Sequence, residues 1–237
     1  MLNRAIIIIP AYNEEKTISG VLLDLRRAAP GFDRVVVNDG SKDATGSIIE
    51  SLGEEQITLP CNIGYGPALQ TGLKYALRRG YEVIVSFDAD GQHDPADVLR
   101  VVETLWSKDA DLAIGSRYCD GSSYKGPLER RIGQNLFSLL TSLFLGKRVY
   151  DTSSGFKALK AGAAEVAIGG TFLDFHIETL VRLSMNGCKI EEVPVTMMAR
   201  RSGKSMHGVT SIVGYPLKTL LLTLVAAIDV IASRRRK

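Results

Sequence analysis

Asp88, Asp90 and Gln92 stand at alternate positions directly after an apolar run that ends at Phe87. Two carboxylates one residue apart at a strand end can reach one ion where the backbone turns, and the Gln92 amide oxygen adds a third ligand. Hard oxygen donors of this kind suit Mg²⁺ or Mn²⁺ rather than Zn²⁺. The usual client of such an ion is a diphosphate. The same residues also fit a solvated turn in which one Asp caps the following helix, so the other polar clusters of the chain must decide. Two of them follow apolar runs in the same way: Pro10-Ala11-Tyr12-Asn13-Glu14 and Asn38-Asp39-Gly40-Ser41.

The elements that must position these clusters are legible as short apolar runs at residues 5–9, 34–38, 57–59, 82–87 and 112–115. Each is nearly continuous, as expected of strands buried on both faces. Between them, Ile18, Val21, Leu22 and Leu25 recur at helical spacing, as do Leu69, Leu73 and Leu77, then Val98, Val101, Val102 and Leu105. The alternation predicts a single α/β domain with a mostly parallel sheet covered by helices on both faces. Ligands of such sheets bind beyond the carboxyl ends of the strands, which is where the three polar clusters fall. Past residue 116 a Gly/Ser/Tyr-rich loop at 121–126 precedes a helix with Ile132, Leu136, Leu139, Leu140 and Leu143 on one face. A polar turn from Asp151 to Phe156, a helix over 173–186 ended by Gly187, and a strand over 191–198 complete the pattern.

Composition is that of an ordinary globular chain: 237 residues, 45% hydrophobic and 23% charged. The three cysteines lie far apart without Cys-x-x-Cys spacing, which argues against a disulfide framework or a zinc site and fits a reducing cytoplasm. Residues 5–9 are too short for a signal sequence and stop at Pro10, so they read as a buried strand. The net charge of +3 is concentrated late, where Arg200, Arg201, Lys204, Lys218 and the Arg234–Lys237 cluster face Asp229 alone. No basic stripe interleaved with aromatics and no recognition helix accompanies them, so nucleic acid is not the expected partner.

Six motifs in order give the chain a resemblance to the family 2 glycosyltransferases of the GT-A (Rossmann-like) fold, of the dolichyl-phosphate mannose synthase or polyprenyl-phosphate glycosyltransferase type. They are Pro10-x-Tyr12-Asn13-Glu14; Val37-Asn38-Asp39-Gly40-Ser41 with Asp43 and Thr45; Asn62-x-Gly64 with Gly66 and Ala68; Phe87-Asp88-Ala89-Asp90-Gly91-Gln92-His93-x-Pro95; Gly115-Ser116-Arg117-Tyr118; and Asp151-x-x-Ser154-Gly155-Phe156. The resemblance spans roughly residues 5–205. It implies donor contacts at Pro10, Tyr12, Glu14, Asp39, Asn62, Gly64, Ala68, Asp88, Ala89 and Asp90, with Arg201 and Lys204 in a loop that closes on the donor phosphates. It further implies metal ligands at Asp90 and Gln92, and an acceptor-phosphate site at Arg117, Arg131 and Asn135. Many lipid-phosphate members carry a small hydroxyl residue where this chain has Asn135. Asp88, Asp90, Arg117, Arg131 and Asp151 become the candidate catalytic residues, Asp151 serving to orient the acceptor or as a base for a hydroxyl acceptor. Asp174, His176 and Glu178 fall on the helix that resembles the acceptor-side segment.

The activity so implied is inverting, Mg²⁺- or Mn²⁺-dependent transfer of a hexose from a UDP- or GDP-sugar to polyprenyl or dolichyl phosphate. A saccharide or glycan hydroxyl acceptor and a noncatalytic nucleotide-sugar-binding subunit are the alternatives. Residues 1–208 form the expected catalytic domain and 209–237 an amphipathic helix with a basic tail. The apolar stretch Thr219–Ala232 makes about 21 Å of helix at 1.5 Å per residue, short of the roughly 30 Å of hydrocarbon in a bilayer. An interfacial helix, or one that meets a membrane-protein partner, is therefore the expectation. The corresponding location is cytoplasmic, peripheral to the cytosolic membrane face.

Overall fold

A computed structural model describes residues 4–119, 146–169 and 175–198, together with positions 138, 139, 142, 224, 225, 227, 228 and 230–232. Five strands and four helices alternate through the first half: β1 (Ala5–Ala11), α1 (Ile18–Ala28), β2 (Asp33–Asn38), α2 (Thr45–Ser51), β3 (Glu55–Thr58), α3 (Tyr65–Arg78), β4 (Val83–Ser86), α4 (Asp97–Ser107) and β5 (Leu112–Ser116). β6 (Lys157–Lys160), α5 (Ala161–Ile168), α6 (Phe175–Met185) and β7 (Ile190–Pro194) follow. The sheet runs β3-β2-β1-β4-β6-β5-β7. β1 pairs in parallel with β2 and β4, β2 with β3, and β5 with β7, whereas β6 lies antiparallel between β4 and β5.

The period-two alternation of a strand divides each apolar run between two cores. Ile7, Ile9, Val36, Val83, Val85 and Ala113 face α1, α2 and α4. Ile6, Ile8, Val35, Val37, Ile84 and Ile114 face α3, α5 and α6. Helices thus cover both faces, as the continuous runs require. Gly72 on α3 permits close packing on β1, since a Cβ there would lie 2.3 Å from Ile8 Cγ2.

Several boundaries and one strand depart from the expectation. β3 is Glu55–Thr58 rather than 57–59. β7 stops at Pro194, and beyond it only an isolated bridge joins Met197 to His93. β6 had no counterpart in the sequence reading because Lys157 and Lys160 flank only two apolar residues. The expected helix over 173–186 is present as α6, and Gly187 follows it at φ +80°. The 121–126 loop and most of the segment from 132 to 143 lie outside the described residues, although Ser138, Leu139 and Ser142 are helical. Near the carboxyl end, Ala227 packs against Ile177 and Val181 of α6, and Val230 is buried. Leu224, Val225, Ile228 and Ile231 are exposed.

Candidate active site

The loops after β1 and β2 are stitched to each other by hydrogen bonds. Asp39 N–H donates to the Ala11 carbonyl at 2.8 Å, Asn13 N–H to Ser41 Oγ at 3.0 Å and Glu14 N–H to Thr45 Oγ1 at 2.8 Å. Lys42 N–H closes the set on Asn13 Oδ1 at 2.8 Å. Asn13 takes φ +55°, a region that Asn tolerates better than most residues. Gly40 lies so close to Cys61 that a Cβ would meet its backbone at 2.5 Å.

Asp39 is buried, and its two oxygens accept the N–H groups of Ile63 (2.8 Å) and Gly64 (2.9 Å). It therefore ties the start of α3 to the end of β2. Tyr12 and Ile63 are exposed beside it, Asn62 is also exposed, and Pro10 is buried. The Ala68 side chain is fully buried in the α3 core with Leu69 and Ile8, so only its main chain could meet a donor. The Ala89 side chain likewise points into the opposite core, leaving its main chain for any ligand contact.

After β4, Asp88 is held from several sides. Tyr65 O–H donates to its Oδ1 at 3.0 Å, and His93 Nε2 lies 3.4 Å from its Oδ2. Gly155 presses on the same carboxylate, since a Cβ there would fall 2.2 Å from Oδ2. Burial would raise the Asp88 carboxyl, but the hydrogen bond and charge of His93, helped by Tyr65, hold it down at about 2. Burial and the neighbouring carboxylates push the Tyr65 hydroxyl well above its ordinary value. Asp90 and Gln92 form the following turn, in which Gln92 N–H donates to Asp90 Oδ1 at 3.0 Å and Gly91 takes φ +71°.

β5 delivers the expected acceptor-side arginine. Arg117 donates through Nε and Nη2 to Asp151 Oδ2 and Oδ1, both at 2.7 Å, and Nη2 also reaches Ser153 Oγ at 2.8 Å. Arg117 N–H adds a 2.9 Å bond to Asp151 Oδ2. Burial acts to raise the fully buried Asp151, yet the Arg117 charge and hydrogen bonds keep its carboxyl below the ordinary range. Burial alone would lower Arg117, and Asp151 raises it instead. Beneath the pair, Glu192 of β7 accepts Tyr150 N–H at 2.7 Å and Asp151 N–H at 2.9 Å. Burial pushes its carboxyl up despite those donors.

Arg131, Asn135, Asp174, Arg201 and Lys204 lie outside the described residues. The remaining expected site residues gather along the carboxyl ends of β1, β2, β4 and β5. Sequence reasoning missed Tyr65 and Lys157, both of which sit beside known motifs: Tyr65 follows Asn62-x-Gly64, and Lys157 follows Ser154-Gly155-Phe156. Among the described residues no group of three or more His, Cys, Asp or Glu side chains forms a ready cage for a metal. Asp88, Asp90 and Gln92 offer only hard oxygen atoms, a set that leaves further positions of an ion to phosphate and water, as is usual for Mg²⁺.

Comparison with known proteins identifies the family and fold that carry this site. Residues 6–166 match the family described as glycosyl transferase family 2. Polyprenol monophosphomannose synthase of Mycolicibacterium smegmatis is 32% identical, over 85% of this chain and 80% of its own. UDP-N-acetylglucosamine--dolichyl-phosphate N-acetylglucosaminyltransferase of Methanococcus voltae is 32% identical, over 92% and 94% of the two chains. A crystal structure of glucosyl-3-phosphoglycerate synthase from Mycobacterium tuberculosis, in complex with Mn²⁺, UDP and phosphoglyceric acid, superposes with a TM-score of 0.71 at 18% identity, covering 95% of this chain and 79% of that one. That likeness establishes the mixed α/β GT-A fold. The chain belongs to glycosyl transferase family 2 and is a glycosyltransferase.

Proposed function

We propose that this enzyme is an inverting, divalent-metal-dependent transferase that moves a hexose from a nucleotide diphosphate sugar to polyprenyl or dolichyl phosphate. The observation that carries the reading is the Arg117–Asp151 pair. A hydroxyl acceptor needs a base to remove its proton, and Asp151 is buried, doubly engaged by a guanidinium and held below the ordinary carboxylate range. A carboxylate in that state is a poor proton acceptor. A lipid monophosphate has a second pKa of about 6 and is already an anionic nucleophile at neutral pH. It needs a fixed cation, and Asp151 with Ser153 locks the Arg117 guanidinium plane at the end of β5. Arg131 and Asn135 complete the acceptor site in this reading, and both named relatives act on lipid phosphates.

On the donor side, Asp39 keeps a lone pair on each oxygen beyond its bonds to Ile63 and Gly64. These accept a ring N–H of uracil or guanine. Pro10, Tyr12, Glu14, Asn62 and Gly64 surround the nucleoside, and the Gly64 backbone at φ +100° allows close approach. Asp88, with its oxygens already fixed by Tyr65 and His93, orients the ribose and sugar. Asp90 and Gln92 are the residues that would hold Mg²⁺ or Mn²⁺. When bound, the ion supplies Lewis-acid stabilisation of the departing nucleoside diphosphate. Arg201 and Lys204 add positive charge to the donor phosphates. In-line attack opposite the leaving group inverts the anomeric carbon, so an α-linked donor gives a β-linked lipid-phosphate sugar.

Membrane contact through residues 209–237 belongs to the same reading. No described helix is long and apolar enough to cross a membrane. Leu224, Val225, Ile228 and Ile231 face outward from a helix whose Ala227 packs on α6, and the Arg234–Lys237 cluster adds about 1 kcal/mol per residue at an anionic surface. In this reading the enzyme works at the cytosolic membrane face as a peripheral protein.

Radiolabelled UDP- and GDP-sugars offered with Mn²⁺ and a short prenyl phosphate should send label into an organic extract. Label that appears only on a free saccharide acceptor overturns the lipid-phosphate reading. Vesicle flotation tests the membrane part: binding to anionic vesicles should weaken in Ile228→Glu, and equal binding refutes it.

A further inference from the structure

Lys157 is fully buried, yet it belongs to neither the donor nor the acceptor set. A lysine ammonium taken out of water is costly unless its surroundings compensate, so its contacts are informative. Nζ donates to the Ser154 carbonyl at 2.6 Å, lies 3.1 Å from His176 Nδ1, and sits 5.1 Å from the centre of the Phe175 ring. Each hydrogen-bonded arm leads back to Asp88.

The first arm runs through the main chain. Ser154 precedes Gly155, the residue that presses on the Asp88 carboxylate. The Gly155 carbonyl in turn accepts Ser86 Oγ at 2.7 Å, and Ser86 is paired with Lys157 in the β4–β6 register. Fixing the Ser154 carbonyl therefore fixes the wall behind Asp88.

The second arm runs through rings. An ammonium has donors only, so the Lys157 contact requires His176 Nδ1 to accept and puts the imidazole proton on Nε2. Burial first, and the Lys157 charge second, drive the His176 pKa down to about 3, consistent with a neutral ring. That ring stacks on Tyr65 with centroids 5.3 Å apart and planes 24° from parallel. Tyr65 donates its O–H to Asp88 Oδ1 at 3.0 Å. Phe175 meets Tyr65 edge-on at 6.4 Å, so the phenol is packed by two consecutive residues of α6.

We propose that Lys157 is a positioning residue for Asp88, acting through the Ser154–Gly155 turn on one side and through the His176–Tyr65 stack on the other. It touches no substrate. Its part is to hold one histidine tautomer and one tyrosine orientation, so that Asp88 meets the donor with its oxygens already aimed. The consequence for turnover rests on the donor role given to Asp88 above, but the tautomer claim does not.

The test uses the full chain, three single variants and one double variant. ¹⁵N-imidazole spectra should show His176, one of three histidines, as a neutral ring with its proton on Nε2. Lys157→Met should lose that signature, lower kcat at least tenfold with the acceptor KM little changed, and weaken Mn²⁺–UDP or Mn²⁺–GDP binding in calorimetry. Tyr65→Phe, which keeps the ring stack and removes only the hydroxyl, should lower kcat several-fold. The double variant should fall short of the product of the two single effects, because both act through one carboxylate. His176→Phe keeps a ring over Tyr65 and removes the acceptor for Nζ, and should resemble Lys157→Met more than Tyr65→Phe.

A folded Lys157→Met protein with the parental tautomer, or with parental kcat and nucleotide affinity, overturns the proposal. Should that variant not fold, unchanged kcat in both Tyr65→Phe and His176→Phe overturns it instead. If the tautomer and nucleotide binding shift as expected but no lipid phosphate accepts sugar, the functional reading fails and the positioning role stands.

Discussion

β1 and β6 flank β4 on opposite sides, and they obey different rules. β1 sets Ile6, Ile7 and Ile8 against Ile84, Val85 and Ser86 in parallel register, all buried hydrocarbon apart from the serine. β6 runs antiparallel and sets a fully buried Lys157 opposite that same Ser86. The half of the sheet built from β3, β2, β1 and β4 buries mostly apolar side chains; its ionisable groups lie at strand ends and in loops, with the Arg34–Glu54 pair at the start of β2 and β3 and Asp39 beyond β2. The half built from β6, β5 and β7 carries charge inside: Lys157, Asp151, Glu178 and Arg182 are all buried, and Glu192 lies beneath Asp151. Hydrophobic burial holds the first half together. The second half depends in addition on each buried charge finding its partner, so its stability and its chemistry are coupled.

That contrast can be broken most directly at Arg117. Arg117→Ala leaves Asp151 buried without its counter-ion, and removing one partner of such a pair costs about 3–5 kcal/mol. Urea unfolding at neutral pH should record a loss of that size. A loss below about 1 kcal/mol would mean that water reaches Asp151 and that the second half is not charge-dependent. Asp90→Asn makes the opposite test in the first half. The Asn side chain retains an oxygen for the Gln92 N–H, so the turn should survive and the melting temperature should hardly move. Sugar transfer should fall a hundredfold or more, about 3 kcal/mol of transition-state stabilisation, and Mn²⁺ dependence should shift to higher concentration. Parental turnover would remove Asp90 from the metal site.

The acid limb of the stability curve should separate the halves as well. His176 ordinarily titrates at 6.5 and is held near 3 in the fold. Between those values the unfolded chain binds a proton that the folded chain refuses, so stability is complete above pH 6.5 and falls as pH drops. The slope is up to about 1.4 kcal/mol per pH unit. Asp151, lowered by Arg117, adds its own loss only once pH falls below the ordinary carboxylate range. Urea midpoints measured from pH 7 to pH 4 should therefore decline in the parent and run flatter in His176→Asn. A parallel decline in both would assign the titration elsewhere.

The same contrast explains how much of the molecule could be read from its sequence. Ile6–Ile9, Val35–Val37 and Val83–Phe87 are apolar runs whose only stable fate in a chain of this composition is a buried strand, so the first half and its loop clusters were legible. Lys-Ala-Leu-Lys at 157–160 carries no such signal, because the burial of Lys157 depends on Ser154 and His176, partners that lie in a turn and on a helix. Tyr65 went unnoticed for a related reason. A tyrosine that opens a helix reads as ordinary, and its task appears only when β4 brings Asp88 to 3.0 Å from its hydroxyl. Ala68 shows the reverse ambiguity: the motif marks it for close main-chain approach at a ligand, while its Cβ lies in the core with Leu69 and Leu73.

The smallest expected effect lies at Gly72, and it sharpens the claim that the first half is held chiefly by apolar packing. A Cβ at this position would fall 2.3 Å from Ile8 Cγ2, the branch of a core side chain with cores on both sides of its strand. Ile8 must turn or β1 must shift, an overpacking cost of about 1–3 kcal/mol. Turning Ile8 within its core reaches no ionised group, whereas a shift of β1 would move the Ile8 carbonyl that accepts the Phe87 N–H just before Asp88, so the side-chain turn is the expected relief. Gly72→Ala should accordingly lower the urea midpoint while kcat per folded molecule and the metal requirement stay at parental values. A fall in kcat would show that strain in the hydrocarbon half is transmitted to the carboxylates beyond its strand ends, and that the two halves are less separate than their buried residues imply.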